Sequence, residues 1–324
     1  MNRTLHANVL VAALGLACAL ATGTASAQSY PQQTIRFVVP WPAGGATDQI
    51  ARILAQPLSQ ALGVAVVVDN KGGAGGNIGT QAVAKEKPDG YTLLLATSST
   101  NAAGPHLYAK QGFDPAKDFA AVVNLCAIPN VMVVPAKSPW TSVQSIVDAA
   151  KAAPDKYTYG SAGIGSSQHL AGAQFKTAAH IDTRHVPYKG SGPAAQDLIA
   201  GHIDMMIDTG SLGSIKGGLL KPLAVASSKR LAALPHVPTF AEAGTPMLAS
   251  AWYGVMLPAG AAPEVVARLN STFNALLKKP DIRSKLEGIG AEISGGTADE
   301  FAKFAVLEIK RYEGIVHSSG APKE

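Results

Sequence analysis

The chain of 324 residues carries 27 Lys and Arg against 22 Asp and Glu, a formal net charge of +5, and the basic residues are scattered. Nucleic-acid binding calls for a concentrated basic stripe with stacking aromatics, and no such stripe is visible, so that function class is set aside. Two cysteines, Cys18 and Cys126, exclude metal sites built on several thiolates, and the length suits two domains of ordinary size.

The amino terminus has the order of a secretory signal. Arg3 supplies positive charge, Val9 to about Ala21 an apolar core, and Ala25-Ser26-Ala27 the A-x-A form of a cleavage site. The apolar core falls short of the ~20 residues that span a bilayer. Gly15 stands where a lipoprotein signal before Cys18 wants Leu. Cleavage after Ala27 is expected, which puts the mature chain in the periplasm. Cys126 then has no intrachain disulfide partner and reads as a small core residue.

From Pro31 onward, strands and helices alternate. Ile35 to Val39 reads as a strand, Pro40 to Ala46 as a Pro/Gly loop, and Thr47 as the cap of a helix with Ile50, Ile53, Leu54 and Leu58 at helical spacing. Pro57 is expected to kink that helix or end it early. Val64 to Val68 reads as a strand buried on both faces. A glycine loop at 72–76, a helix from Ile78 and a strand at Tyr91 to Ala96 follow. The stretch from Val122 to Val134 reads as strand, broken at Pro129-Asn130. Next come a helix at Ser142 to Ala152, a strand at Tyr157 to Tyr159 and a second Gly/Ser loop at 160–167 opening a helix near Gln168. Strand Thr183 to Val186 leads into Tyr188-Lys189-Gly190-Ser191-Gly192, with Pro193 as the first residue of another helix. Further strands are expected at Ile203 to Ile207, Leu223 to Ala226 and Trp252 to Leu257. Helices at Pro263 to Leu277, Asp281 to Leu286 and Thr297 to Val316 close the chain, a helical tail that a return to the first lobe through the Trp252 strand would give something to cover. The alternation predicts an α/β fold of two mostly parallel sheets flanked by helices.

Three loops share one construction of strand, Gly/Ser/Pro loop and helix start: Pro40 to Asp48, Gly160 to Ser167, and Tyr188 to Gly192. Such loops lie at the carboxyl edge of a parallel sheet and offer free main-chain N–H groups to an anion. Several must converge, because each helix end contributes only about 0.3–1 kcal/mol at exposed sites while micromolar affinity takes about 8. Trp41 and Tyr188 are placed to wall a pocket. Asp208 reads as a cap for the turn after Ile203 to Ile207, or as a carboxylate facing the cleft. The run Gly73 to Gly79 has GxGxxxG and not GxGxxG spacing, so it reads as an organising turn, with Asn77 bonding to nearby backbone, and not as a nucleotide loop.

An enzyme alternative rests on Ser161, Ser166, Ser167 and His169, with Asp208 further on. Neither Ser161 nor Ser167 sits in a GxSxG elbow, which argues against a serine hydrolase using Ser166 or Ser161 with His169. His180 and His185 flank Asp182 without helical ligand spacing and read as surface histidines, so no metal site is expected.

The blocks PWPAGGATD (40–48), GGAGGNIG (72–79), PDGYTLLLATSS (88–99), YGSAGIGSSQHLAG (159–172), VPYKGSGPAAQDLIAGHID (186–204), LAVASSKRLAALPHVPTFAEAG (223–244) and GGTADEF (295–301) resemble the Bug/TctC-type extracytoplasmic solute receptors of tripartite tricarboxylate transporters. The resemblance runs over essentially the whole mature chain. It implies a two-lobe, Venus-flytrap binding protein of type II-like architecture. Lobe 1 would be 28–125 plus 247–324, and lobe 2 would be 126–246. It implies a small organic carboxylate as ligand (a di- or tricarboxylate, amino acid or aromatic acid) and integral membrane transporter subunits as partners, with no catalysis and no cofactor. By matching blocks, the implied ligand-binding residues are Trp41, Ala43, Gly44, Asn77, Thr97, Ser98, Ser161, Ser166, His169, Tyr188 and Asp208. Ala173 replaces a Glu common in the family after HLAG, and Pro57 is unusual in the first helix. A monomer is expected, and a kinase-coupled sensor is the alternative to transport.

Overall fold

The computed structural model describes residues 30–321 and 323, so the signal sequence expected at residues 1–27 lies outside the described residues. Residues 33–324 form one unit built on two sheets. In the first, β1 (Ile35–Val39) pairs in parallel with β2 (Val66–Asn70) and β3 (Thr92–Thr97). β10 (Ser250–Pro258) then runs antiparallel between β3 and β4 (Phe119–Pro129), and β11 (Glu292–Ile293) closes the edge on β4. In the second, β6 (Thr158–Ser161) lies parallel to both β7 (Arg184–Pro187) and β8 (Met205–Asp208). There, β5 (Val131–Pro135) runs antiparallel to β8 and β9 (Leu220–Val225).

Both sheets are therefore mixed, with most strands of each pointing one way and β10, β11 and β5 running against them. The physical reason is the crossing. β4 ends at Pro129 and β5 begins at Val131 in the other sheet, so strands that carry the chain between lobes enter against the direction set by the βα units. Asn130 is pinned at the switch. Its N–H donates to Ala249 O, its carbonyl accepts from Ala226 N–H, and its Nδ2 donates 2.9 Å to Ile207 O.

The first helix, α1 (Ala46–Leu62), buries Ile50, Leu54, Leu58 and Leu62 on one stripe and continues through Pro57. Proline removes one main-chain donor there, but the apolar stripe holds the helix past it. Gly45, and not Thr47, is the cap. The Asp48 carboxylate instead reaches back to Gly44 N–H at 3.1 Å. β2 is an edge strand with Val67 53% exposed, so its β-branched run does not mark burial on both faces. β-branching suits any pleated surface.

α2 (Asn77–Ala84), a π-helical turn at Ser99–Ala103 and α3 (Gly104–Leu107) follow in the first lobe, the last two without warning from periodicity. α4 (Val143–Ala152), capped by Ser142, α5 (Ser167–Ala179), α6 (Ser191–Ala200) and α7 (Leu212–Lys216) clothe the second sheet. Pro193 is the third residue of α6 and not the first, because Gly190 ends the loop. α8 (Pro263–Leu277), α9 (Pro280–Gly288) and α10 (Ala298–Ser319) return to the first lobe. α10 starts in a Thr297/Glu300 capping box and lays Phe301 edge-on to Trp252 at 5.8 Å, so it covers β10. Trp252 is thus a core residue. Cys126 is fully buried, and desolvation pushes its thiol up to about 12.

Candidate functional site

Each of the three Gly/Ser loops runs from the end of a strand into the first turn of a helix. Pro40 to Gly45 joins β1 to α1, Ala162 to Ser166 joins β6 to α5, and Tyr188 to Gly190 joins β7 to α6. The first loop belongs to one lobe and the other two to the second, and they converge on a small cavity of about 30 Å³ between the sheets. Its wall is formed by Trp41, Pro42, Gly45, Ala46 and Thr47 from the first loop and α1, and by Thr97 and Ser99 after β3. Ala162, Ser167 and Gln168 come from around α5, with Ser191, Thr209, Ala251 and Tyr253 completing it. The wall contains no Lys, Arg, His, Asp or Glu. Burial holds the Tyr253 phenol well above its ordinary range, so the lining is neutral at any ordinary pH.

The second lobe's part of the wall is held by Asp208. Its buried carboxylate accepts from Gln168 Nε2 and Ser191 Oγ, both at 2.8 Å, from Gly210 N–H at 2.9 Å and from Ser211 Oγ at 2.6 Å. Asp208 therefore caps the turn after β8 and aligns two cavity side chains, from one layer behind the surface. In the first lobe, Asp48 does similar work on the Pro40–Gly45 loop. Burial alone would raise its carboxyl, but Arg52, Gly44 N–H and Asn70 together hold it below its usual value.

Trp41 and Thr97 line the cavity, and both are more than nine-tenths buried. Ala43 and Gly44 sit at its outer rim, exposed and facing Gly192 across the lobes. Ser98 is buried beneath the wall, beside Ser99. Ser161, Ser166 and His169 form the base of the loop whose Ala162 and Ser167 reach the cavity. Ser166 caps α5, taking His169 N–H at 3.3 Å and donating to Gly163 O at 2.6 Å. Asn77 is not part of the cavity wall, and its Oδ1 accepts from Gln111 Nε2 and not from nearby backbone. Tyr188 also turns away, donating to Asp197 Oδ2 at 2.7 Å. In the Gly73–Gly79 run, a methyl group on Gly79 would lie 2.3 Å from Lys71 O, so this glycine lets α2 pack against the β1 and β2 ends.

Of the two histidines expected at the surface, His180 is exposed, but His185 is half-buried. It stacks between Tyr159 (4.9 Å) and His169 (4.1 Å), with Nε2 2.6 Å from Ser161 Oγ. Burial lowers His169 to about 4, and burial, with His169 and Lys176 nearby, lowers His185 to about 3, so both rings are neutral. The His169 Nδ1 accepts from Gly165 N–H, while Ser161 is engaged by His185. The serines and His169 thus brace a loop and do not form a triad. Among the described residues no group of three or more His, Cys, Asp or Glu side chains is placed to hold a metal ion, and no helix is long and apolar enough to cross a membrane.

The tripartite tricarboxylate transporter family receptor (TctC) model matches residues 50–321. The chain belongs to the TctC family. BugT of Bordetella pertussis is 37% identical to this receptor over 318 residues, covering 96% of this chain and 98% of BugT. Among solved structures, one described as a periplasmic transporter is 40% identical with a TM-score of 0.87, over 91% of this receptor and 99% of that chain. R. palustris Rpa4515 with adipate is 36% identical with a TM-score of 0.89, over 91% of this receptor and all (100%) of that chain. The two-lobe α/β architecture is therefore that of the periplasmic binding proteins in this family.

Several wall residues were not among the ligand-binding residues that the resemblance implied. Thr47, Ser167, Gln168 and Ser191 stand in the first turn of the helices that the flagged loops open, one to three positions beyond the glycines that drew attention. Thr209 follows β8, and Ala251 and Tyr253 come from the crossing strand β10, and no local pattern marks them.

Proposed function

We propose that this receptor captures a small organic carboxylate between its lobes in the periplasm and delivers it to the membrane subunits of a tripartite transporter, performing no chemistry on it. The observation that carries the reading is the cavity itself. The amino-terminal turns of α1, α5 and α6 meet there with hydroxyl groups and no charged side chain. Each helix end stabilises an anion by about 0.3–1 kcal/mol, rising to ~2 where partly buried, and exclusion of water strengthens the sum. The lobes meet at the sheet crossings, Asn130 and the return into Ser250. The signal-like amino terminus supports export, and the adipate bound by Rpa4515 supports a carboxylate ligand. Of the residues implied by sequence, Trp41 and Thr97 contact the ligand on this reading. Ala43 and Gly44 close its rim, and Ser98, Ser161, Ser166, His169 and Asp208 hold the wall in shape.

Thermal-shift screening of the purified protein against mono-, di- and tricarboxylates tests the proposal. Ligand at 100 times its dissociation constant adds about 2.7 kcal/mol, a rise of several degrees for a chain of this size. No shift with any carboxylate, together with turnover of a carboxylic ester, would replace the receptor reading with a hydrolase.

A further inference from the structure

A second and larger cavity, of about 380 Å³, lies at the strand crossings. One of its walls is the face of α5 that carries Ser167, Leu170, Ala171 and Gln174, spaced i, i+3, i+4 and i+7. Another is the stretch of α10 with Arg311, Tyr312 and Ile315. Asn130 and Ser250, where the chain passes between the sheets, also line it, and so does Glu292 of β11. Both lobes therefore contribute, and the volume falls in the range of small-molecule sites. Ser167 stands in the walls of this cavity and of the cleft cavity alike, so an occupant here would pack against a helix start that also faces the cleft.

Three polar groups of this lining call for a donor. Asn130 is fully buried and its Oδ1 has no partner, and the amide is fixed that way round because Nδ2 donates to Ile207 O at 2.9 Å. Gln174 Oε1 is buried and unpartnered as well. Glu292 is exposed, and its carboxylate has no ion-pair partner among the described residues. Arg311 is already engaged. Its Nε and Nη2 donate to Glu308 at 2.6 and 2.7 Å, and its guanidinium lies over the Tyr312 ring at 4.8 Å. A buried acceptor without a donor bears the whole of its lost hydration, and a lone carboxylate beside it favours positive charge. From this arrangement we propose that the cavity is a second binding site, taking a small organic cation. An ammonium group supplies the Glu292 carboxylate and the amide oxygens, and an apolar body lies against Leu170, Ala171 and Ile315. The site is independent of whatever fills the cleft.

Isothermal titration of the purified receptor with phenethylammonium, and with 2-phenylethanol as its uncharged match, tests this. The ammonium is expected to bind with a dissociation constant of about 1 mM or tighter, and the alcohol at least about fivefold more weakly. Glu292→Gln removes the charge at an exposed position and is expected to weaken the ammonium about fivefold. Ser228→Trp, at an exposed position of the same lining, is expected to plug the cavity and abolish binding. Both variants are checked for an unchanged melting profile. Should Ser228→Trp melt early, a crystal structure of the unaltered receptor with the ammonium replaces it, and the ligand is expected between α5 and α10. Alcohol and ammonium binding equally would overturn the cationic ligand class. Binding unchanged in both variants, a ligand found elsewhere, or no binding of either compound would overturn the site.

Discussion

Gly192, in the first turn of α6, faces the main chain of Ala43 so closely that a methyl group on it would sit 2.8 Å from the Ala43 oxygen. The two residues belong to opposite lobes, and their approach is possible only with the lobes shut. Gly190 repeats the arrangement, since a methyl there would meet Pro42 Cδ at 2.9 Å. Gly192→Ala is therefore expected to impede closure while leaving each lobe intact, because alanine suits a helix start at least as well. Titration should show ligand affinity reduced about tenfold or more, with the melting temperature of the unliganded protein unchanged within a degree or two.

Asp208 serves four donors from a site 1% exposed. Asp208→Ala would orphan Gln168 Nε2, Ser191 Oγ, Ser211 Oγ and Gly210 N–H together. A loss of about 2–4 kcal/mol is expected, at the upper end for single buried polar changes, and denaturant unfolding measures it. Asp208→Asn keeps the shape and two acceptor lone pairs, so its cost should be smaller.

The histidine stack gives the receptor an acid-sensitive element. His169 and His185 are held neutral in the folded chain, near 4 and 3, while an unfolded histidine titrates near 6.5. Between those values the unfolded chain binds more protons, so stability is complete above about pH 6.5 and falls as pH drops toward 4 and below. Denaturant midpoints across pH 4–7 should show that slope. His169→Asn with His185→Gln should flatten it, even if the variant is less stable throughout.

Cys126 is buried on β4 between β10 and β11, and its thiol is pushed up to about 12. The thiolate is the reactive form. A thiol reagent at pH 8 is expected to label the native protein only as fast as it opens, and a saturating carboxylate should slow that labelling further. Rapid stoichiometric labelling of the native protein would contradict the burial.

Much of the fold was legible because α/β patterning is local. The stripe Ile50, Leu54 and Leu58, the capping pair Thr297 and Glu300, and the break at Pro129-Asn130 each carry their structure within a few residues. The mixed sheet order was not legible, because the direction of β5 and β10 depends on which sheet each enters and not on their own sequence. Val64 to Val68 misled for a related reason, since an edge strand and a central one share a β-branched composition. The site was half legible. Glycine and serine marked the loops that converge, but which side chains face the gap is decided by strand ends far apart in sequence, as with Thr209 and Tyr253. Tyr188 and Asn77 sit in the right blocks and point elsewhere, because Asp197 and Gln111 offer them nearer partners.

The central claim is that a cavity without a charged side chain holds an anion through main-chain and hydroxyl donors from both lobes. A crystal structure of the receptor with a bound carboxylate tests it most directly. The account predicts carboxylate oxygens within hydrogen-bond distance of N–H groups at Gly45 to Thr47 or Ser167 to Gln168 and of the Thr209 hydroxyl, with Trp41 against the carbon chain. A carboxylate found instead on a lysine or arginine side chain, such as Arg311 in the separate cavity at the strand crossings, would contradict it.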